Sequence, residues 1–105
     1  YYIEQFGSYV DIVTPGPDVV SAWHKFVIRT QVTRSKLAAH LSDRGIEAKM
    51  HYGTPLDLLP VGSHYTKEIA PESFRFCKEC LSLPIYPELL DSEVESIVQA
   101  VKSFF

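Results

Sequence analysis

Histidine and tyrosine stand side by side, as His51 and Tyr52, after a segment with the pattern of a β-strand. Apolar and polar residues alternate over 46–52, which predicts a strand with one buried face and a fixed register. Such a strand can deliver two hydrogen-bonding rings to a ligand, and Gly53 permits an unusual turn directly after them. Polar residues that simply end a strand give the same pattern. Residue types alone leave both interpretations open.

The two cysteines, Cys77 and Cys80, form a C-x-x-C motif. A redox motif of this type lies at a helix N-terminus, where the helix dipole lowers the thiol pKa. These cysteines instead fall late in a helix predicted over 72–80, on its apolar side. A zinc site would need two more ligands at motif spacing, and the sequence offers none. We therefore interpret both cysteines as core residues.

The other histidines carry weaker signals. His24 lies inside an apolar strand pattern, where a structural role fits better than a catalytic one. His40 occurs among solvent-facing helix positions, and His64 occurs in a long loop, so both are interpreted as surface residues. The sequence shows no glycine-rich phosphate loop, no pair of carboxylates at a spacing that indicates a catalytic site, and no Ser/His/Asp set.

Composition excludes several classes of function. The 105 residues have the length of one domain, and 46% of them are hydrophobic, which is enough for a core. A net charge of −3 with scattered basic residues argues against a nucleic-acid surface. No apolar run is long enough to cross a bilayer, so we expect no membrane partner and a cytoplasmic location.

Periodicity and turn residues predict the elements that must position these side chains. Thr33 is the expected N-cap of the first long helix, Gly45 its end, and Asp91 the cap of the last helix. The predicted order is a short helix over 1–6, strands over 9–13 and 23–32, a helix over 34–44, the strand 46–52, an irregular segment over 53–71, the helix 72–80, an extended segment over 83–87, and a helix from 91 in which Val94, Ile97, Val98, Val101 and Phe105 form the apolar side. This order favours an α+β fold, a small and mainly antiparallel sheet with helices packed on one face.

Four blocks of sequence, taken together and in their order, form a specific pattern. They are Trp23-His24-Lys25-Phe26-Val27-Ile28-Arg29 with Thr33-Arg34-Ser35-Lys36-Leu37, then Arg44-Gly45-Ile46-Glu47-Ala48-Lys49-Met50-His51-Tyr52 with Pro55-Leu56, then Leu81-Ser82-Leu83-Pro84-Ile85-Tyr86-Pro87-Glu88-Leu89, and the apolar positions of the last helix. This pattern resembles the C-terminal domain of the DegT/StrS family of sugar aminotransferases, which depend on pyridoxal 5'-phosphate. The chain differs from the family at Gly53, where a proline is common, and in the loop that follows.

The resemblance implies that residues 1–105 are the C-terminal small domain of a fold-type I aminotransferase, a piece that lacks the large cofactor-binding domain. The six lysines match non-catalytic positions, so the resemblance assigns no Schiff base, no catalytic residue and no cofactor contact here. We expect pyridoxal phosphate in the intact enzyme and none on this chain alone. The intact enzyme is expected to be a homodimer that acts on a nucleotide-linked keto-sugar, with His51 and Tyr52 as substrate-binding residues that hydrogen-bond a sugar hydroxyl or phosphate.

Two alternatives stay open at this point. A sugar dehydratase of the same family would share this small domain, and it would differ at the cofactor position of the large domain. A stand-alone module that binds a ligand or partner without catalysis would instead be a stable monomer without an exposed apolar face.

Overall fold

The computed structural model describes residues 1–30, 34–64 and 70–105. The predicted cap Thr33 lies outside these residues. The elements, in chain order, are α1 (Tyr2–Phe6), β1 (Asp11–Ile12), β2 (Phe26–Arg29), α2 (Arg34–Ser42), two 3₁₀ turns (Leu56–Leu58 and Gly62–His64), α3 (Pro71–Glu79), β3 (Cys80–Leu83) and α4 (Asp91–Lys102). In the part of the chain that is described, no helix has the length and apolar character needed to cross a membrane.

The three strands form one antiparallel sheet in the order β1-β2-β3. Phe26 pairs with Leu83 and Ile28 pairs with Leu81, so these four side chains share one face. That face is buried beneath α1, α2 and α4, which contribute Phe6, Leu37, Leu41, Ile97, Val98 and Val101 to the same core. The predicted α+β fold, with an antiparallel sheet and helices on one face, is confirmed.

Two strands are shorter than the sequence predicts. The predicted strand 23–32 reduces to Phe26–Arg29 within the described residues, since the backbone of Trp23 has a φ of 48°, which no strand accommodates. The predicted strand 9–13 reduces to Asp11–Ile12, although the Val13 N–H still donates to the Val27 carbonyl at 3.0 Å.

The predicted strand 46–52 is wrong, because its only ladder contact among the described residues is a single bridge. Lys49 pairs with Ser82 through two backbone hydrogen bonds, of 3.0 and 2.8 Å. The pairing cannot extend past this bridge on either side. In one direction it would meet Pro84, which has no N–H, and in the other Cys80, whose N–H donates to the Phe76 carbonyl at the end of α3.

Gly45 terminates the helix α2, as the sequence predicts. Gly45 has a φ of 74°, a region that residues with a Cβ rarely adopt. The N–H of Ile46 donates to the Leu41 carbonyl at 3.0 Å, and the N–H of Gly45 donates to the Ser42 carbonyl at 2.9 Å. This is a Schellman motif, which turns the chain back toward β3. Ile46 packs on the core, as predicted.

The last two helices differ from prediction in detail. The third helix starts at Pro71, one residue before the predicted start, and it ends at Glu79, so Cys80 belongs to β3 and not to the helix. The last helix starts at Asp91 itself, and its cap position is Leu90, whose N–H donates to the Glu93 carboxylate at 2.9 Å. Asp91 is therefore in the first turn and does not cap the helix. Phe105 lies past the helix end and is 53% exposed.

Candidate functional site

His51 lies against β3, on the side of the sheet opposite the core. Residues 80 and 82 share that side because alternate residues of a strand point the same way. Ser82 places its Oγ atom 2.9 Å from His51 Nδ1, and the Cys80 thiol donates to the His51 carbonyl at 3.4 Å. Both the ring and the backbone of His51 are thus attached to one strand, which fixes a half-buried imidazole.

A groove of about 640 Å³ opens beside this histidine. Polar and apolar side chains both line the groove. The polar and charged ones include His24, Lys25, Arg44, Glu47, Lys49, His51, Ser82, Glu93 and Ser96, and the apolar ones include Ile46, Leu83, Pro84, Ile85, Leu89 and Ile97. Lys49 forms a solvent-exposed ion pair with Glu47 at 3.3 Å, which water screens. A lining that combines hydrogen-bond donors with apolar side chains suits a ligand that has both oxygen acceptors and an apolar part.

The Tyr52 side chain does not share the groove with His51. Its side chain is 76% exposed, and it is not among the residues that line the groove. The unusual backbone conformation that the sequence predicts near this point falls on Tyr52, with a φ of 57°, and not on Gly53. This left-handed residue turns the chain away from β3. Lys25 lies over the phenol ring, with Nζ 6.0 Å from the ring centroid.

The remaining histidines have different surroundings. His24 is exposed and lines the groove, so it is not enclosed as a structural histidine would be. His40 is half-buried and joins α2 to α4, because its Nε2 lies 3.0 Å from the Ala100 carbonyl oxygen. Arg44 contacts the Nδ1 atom of the same ring at 3.2 Å. His64 is exposed in the second 3₁₀ turn, as predicted.

Both cysteines are free and buried, so their predicted burial is confirmed, but Cys80 lies on the side of the sheet opposite the main core and neither cysteine belongs to that core. Burial raises the pKa of the Cys80 thiol, and this effect outweighs the nearby positive charge of Arg34. A raised pKa keeps the sulfur protonated and unreactive. Among residues 1–30, 34–64 and 70–105, no group of three or more potential ligands is arranged to hold a metal ion.

Sequence reasoning missed Ser82, although a signal for it exists. Ser82 stands between Leu81 and Leu83, and alternation along a strand places a residue between two core residues on the opposite face. A buried serine on that face needs a polar partner. The sequence gives no comparable signal for the ion pair of Arg29 with Glu79, which are 50 positions apart and close across the end of the sheet.

Comparison with known proteins gives a consistent result. The model of the DegT/DnrJ/EryC1/StrS aminotransferase family matches residues 1–102. A dTDP-3-amino-3,4,6-trideoxy-alpha-D-glucose transaminase of Streptomyces venezuelae is 33% identical over 100 residues, which cover 90% of this chain and 25% of that protein. A dTDP-3-amino-3,6-dideoxy-alpha-D-galactopyranose transaminase of Aneurinibacillus thermoaerophilus is 30% identical, over 99% of this chain and 29% of that protein.

Solved structures agree with the sequence matches. The crystal structure of DesV from S. venezuelae superposes with a TM-score of 0.91 at 29% identity, over 98% of this chain and 29% of that one. A family aminotransferase from Brucella abortus gives 0.90 at 28% identity, over 98% of this chain and 28% of that one. The chain thus spans between a quarter and a third of the length of these relatives. The chain belongs to the DegT/DnrJ/EryC1/StrS aminotransferase family.

Proposed function

We propose that this chain is the C-terminal small domain of a pyridoxal phosphate-dependent enzyme that transfers an amino group to a nucleotide-linked keto-sugar. The observation that carries the proposal is family membership over residues 1–102, together with relatives that are named as transaminases of dTDP-linked sugars. In this proposal the groove beside His51 forms one wall of the substrate cleft, and the intact enzyme is a homodimer.

The residues of this chain suit a substrate wall better than a cofactor site. A lysine that forms a Schiff base is desolvated in an apolar pocket. None of the lysines in the described ranges is buried, and two of them, Lys25 and Lys49, line the open groove. The cofactor, when bound to the large domain, supplies the stabilisation of the carbanion. The small domain contributes orientation of the sugar and exclusion of water from the cleft.

His51 is the residue to which we assign a substrate contact. Its imidazole is fixed to β3, and the groove begins beside it. A fixed donor costs little conformational entropy when a ligand binds, since the ring is already ordered. Tyr52 remains a proposed second contact, and its exposed ring would have to meet the substrate outside the groove.

The test uses the complete polypeptide that carries this chain, with His51→Ala as the variant and His64→Ala as a control for removal of an exposed imidazole. We expect His51→Ala to raise KM for the sugar nucleotide about 10-fold, the effect of one hydrogen bond to a charged or strongly polar group, with bound cofactor unchanged. His64→Ala should leave both quantities unchanged. Loss of the cofactor from His51→Ala would contradict the assigned role.

A second experiment concerns the 105-residue chain itself. Mixed with pyridoxal phosphate and then reduced with borohydride, the chain should give no stoichiometric covalent adduct, because its lysines lack the buried setting described above. A stoichiometric adduct at one lysine would place the cofactor site on this chain and would overturn the assignment to a small domain.

A further inference from the structure

We propose that Ser82 is a positioning residue that sets the ring orientation and the tautomer of His51. In this arrangement the Ser82 hydroxyl donates its proton to Nδ1, so the single proton of the neutral imidazole resides on Nε2. His51 then offers a hydrogen-bond donor to an oxygen acceptor of the ligand, a carbonyl, hydroxyl or phosphate oxygen. The inference rests on the proposed function for its consequence in substrate binding, but its structural part can be tested alone.

The surroundings of Ser82 fix the position of its hydroxyl group. Ser82 is 6% exposed, its backbone makes two hydrogen bonds to Lys49, and in the β2–β3 ladder it stands opposite Val27. With the main chain fixed in this way, the hydroxyl has little freedom apart from rotation about its own Cα–Cβ bond. The 2.9 Å distance to Nδ1 is that of a good hydrogen bond.

A second contact from β3 fixes the backbone of His51. Cys80, two positions before Ser82, donates its thiol proton to the His51 carbonyl. Lys49, two positions before His51, makes the bridge to Ser82. Continuing this antiparallel register places His51 opposite Cys80, so the imidazole reaches Ser82 diagonally across the pair. The ring orientation therefore depends on Ser82, whereas the path of the backbone depends on the other two contacts.

The direction of the hydrogen bond follows from the needs of a buried hydroxyl. A buried O–H that does not donate leaves a polar hydrogen without a partner, which costs about 1–3 kcal/mol. Among the described residues, the hydrogen-bond partner of Ser82 Oγ is His51 Nδ1. If Nδ1 carried the proton, the Ser82 hydroxyl would accept that hydrogen bond and its own proton would have no acceptor. Donation from Ser82 to the Nδ1 lone pair satisfies both groups.

This tautomer restricts the chemistry of His51. A neutral imidazole with its proton on Nε2, and with the Nδ1 lone pair occupied by Ser82, has no free lone pair with which to take a proton from a substrate. It can donate one hydrogen bond. Ser82 thus determines that His51 recognises oxygen acceptors and does not serve as a general base.

The first measurement is the ¹⁵N NMR spectrum of the His51 ring in the complete polypeptide that carries this chain, labelled with ¹⁵N at histidine only and assigned by comparison with His51→Ala, at a pH where the imidazole is neutral. We expect a protonated, pyrrole-type Nε2 and an unprotonated, pyridine-type Nδ1. Ser82→Ala should shift both resonances toward the average of two tautomers, and Ser82→Thr should restore them. Ser96→Ala removes another serine hydroxyl from the groove lining, one that bonds the Ser92 carbonyl, and should change neither resonance.

The wild-type spectrum alone can overturn the proposal, so the result does not depend on how well Ser82→Ala folds. A proton on Nδ1 in the wild type, or identical tautomers in the wild type and a folded Ser82→Ala, would refute the positioning role. In the complete enzyme, Ser82→Ala should raise KM for the sugar nucleotide without loss of cofactor. If His51→Ala does not change KM while the tautomer shift is observed, the substrate contact proposed for His51 fails and the positioning by Ser82 stands.

Discussion

The ion pair between Arg29 and Glu79 offers a quantitative test of how the sheet is joined to α3. Two guanidinium N–H groups of Arg29, Nε and one terminal nitrogen, donate to the same Glu79 oxygen at 3.0 and 2.5 Å. The Glu79 side chain is 10% exposed and that of Arg29 is 26% exposed. The Glu79 carbonyl also accepts the N–H of Thr30 at 3.0 Å, so side chain and main chain hold the same junction. Arg29 further lies over the Phe76 ring.

The substitution Glu79→Gln keeps the shape and removes the charge. With an effective dielectric constant of about 20, two unit charges at this separation attract by about 6 kcal/mol, much of which is offset by desolvation. Removal of one partner from a wholly buried pair costs about 3–5 kcal/mol, and the partial exposure of Arg29 lowers the expected cost to about 2 kcal/mol. For a domain of this size, that corresponds to a fall in Tm of about 10 °C.

The same helix provides the control. Glu72 and Arg75 form an ion pair of 2.6 Å whose side chains are mostly exposed, so Glu72→Gln should cost no more than about 0.5 kcal/mol. Urea unfolding of the wild type and the two variants, followed by circular dichroism, measures both values. If Glu79→Gln costs no more than Glu72→Gln, the junction between α3 and β2 is not stabilised by charge and the reasoning is wrong.

Three further predictions concern other parts of the chain. Burial raises the pKa of Tyr2 to about 12, above its ordinary value of 10.0, so the folded chain holds the phenolic proton more tightly than the unfolded chain does. The free energy of unfolding from urea titrations should therefore keep its full value below pH 10 and fall by about 2 kcal/mol between pH 10 and 12. Tyr2→Phe should reduce that fall, and parallel plots of this free energy against pH for the two proteins would contradict the prediction. Gly45→Ala should cost about 1 kcal/mol, because of the positive φ at that residue, whereas Gly53→Ala, at a site with open space and no positive φ, should be neutral; equal unfolding midpoints would refute the Schellman end of α2. The buried and protonated Cys80 should be alkylated by iodoacetamide at pH 8 much more slowly in the native chain than in urea, as followed by mass spectrometry, and equal rates would contradict its burial.

The parts of the fold that could be predicted are those set by local patterns. The end of α2 followed from one glycine and one apolar residue after it, and the buried side of α4 followed from residues three and four apart. The layer arrangement followed from the order of the elements. Each of these signals lies within a few positions of the chain.

The parts that failed depend on distant residues. The predicted strand 46–52 has the right alternation, with Ile46 and Ala48 on the core side, but its pairing is limited by Pro84 and by the hydrogen bond that Cys80 makes to α3. The groove beside His51 also depends on pairing between segments more than 30 positions apart. The residue pattern of one segment does not show whether the backbone N–H groups of the neighbouring segment are available for pairing.

A crystal structure of the complete polypeptide with a nucleotide-linked sugar bound would test directly whether His51 contacts the substrate. We expect His51 Nε2 to lie within about 3.2 Å of an oxygen atom of that ligand, with the sugar against the groove beside β3. A structure in which the ligand is bound elsewhere and His51 faces bulk solvent would refute this contact.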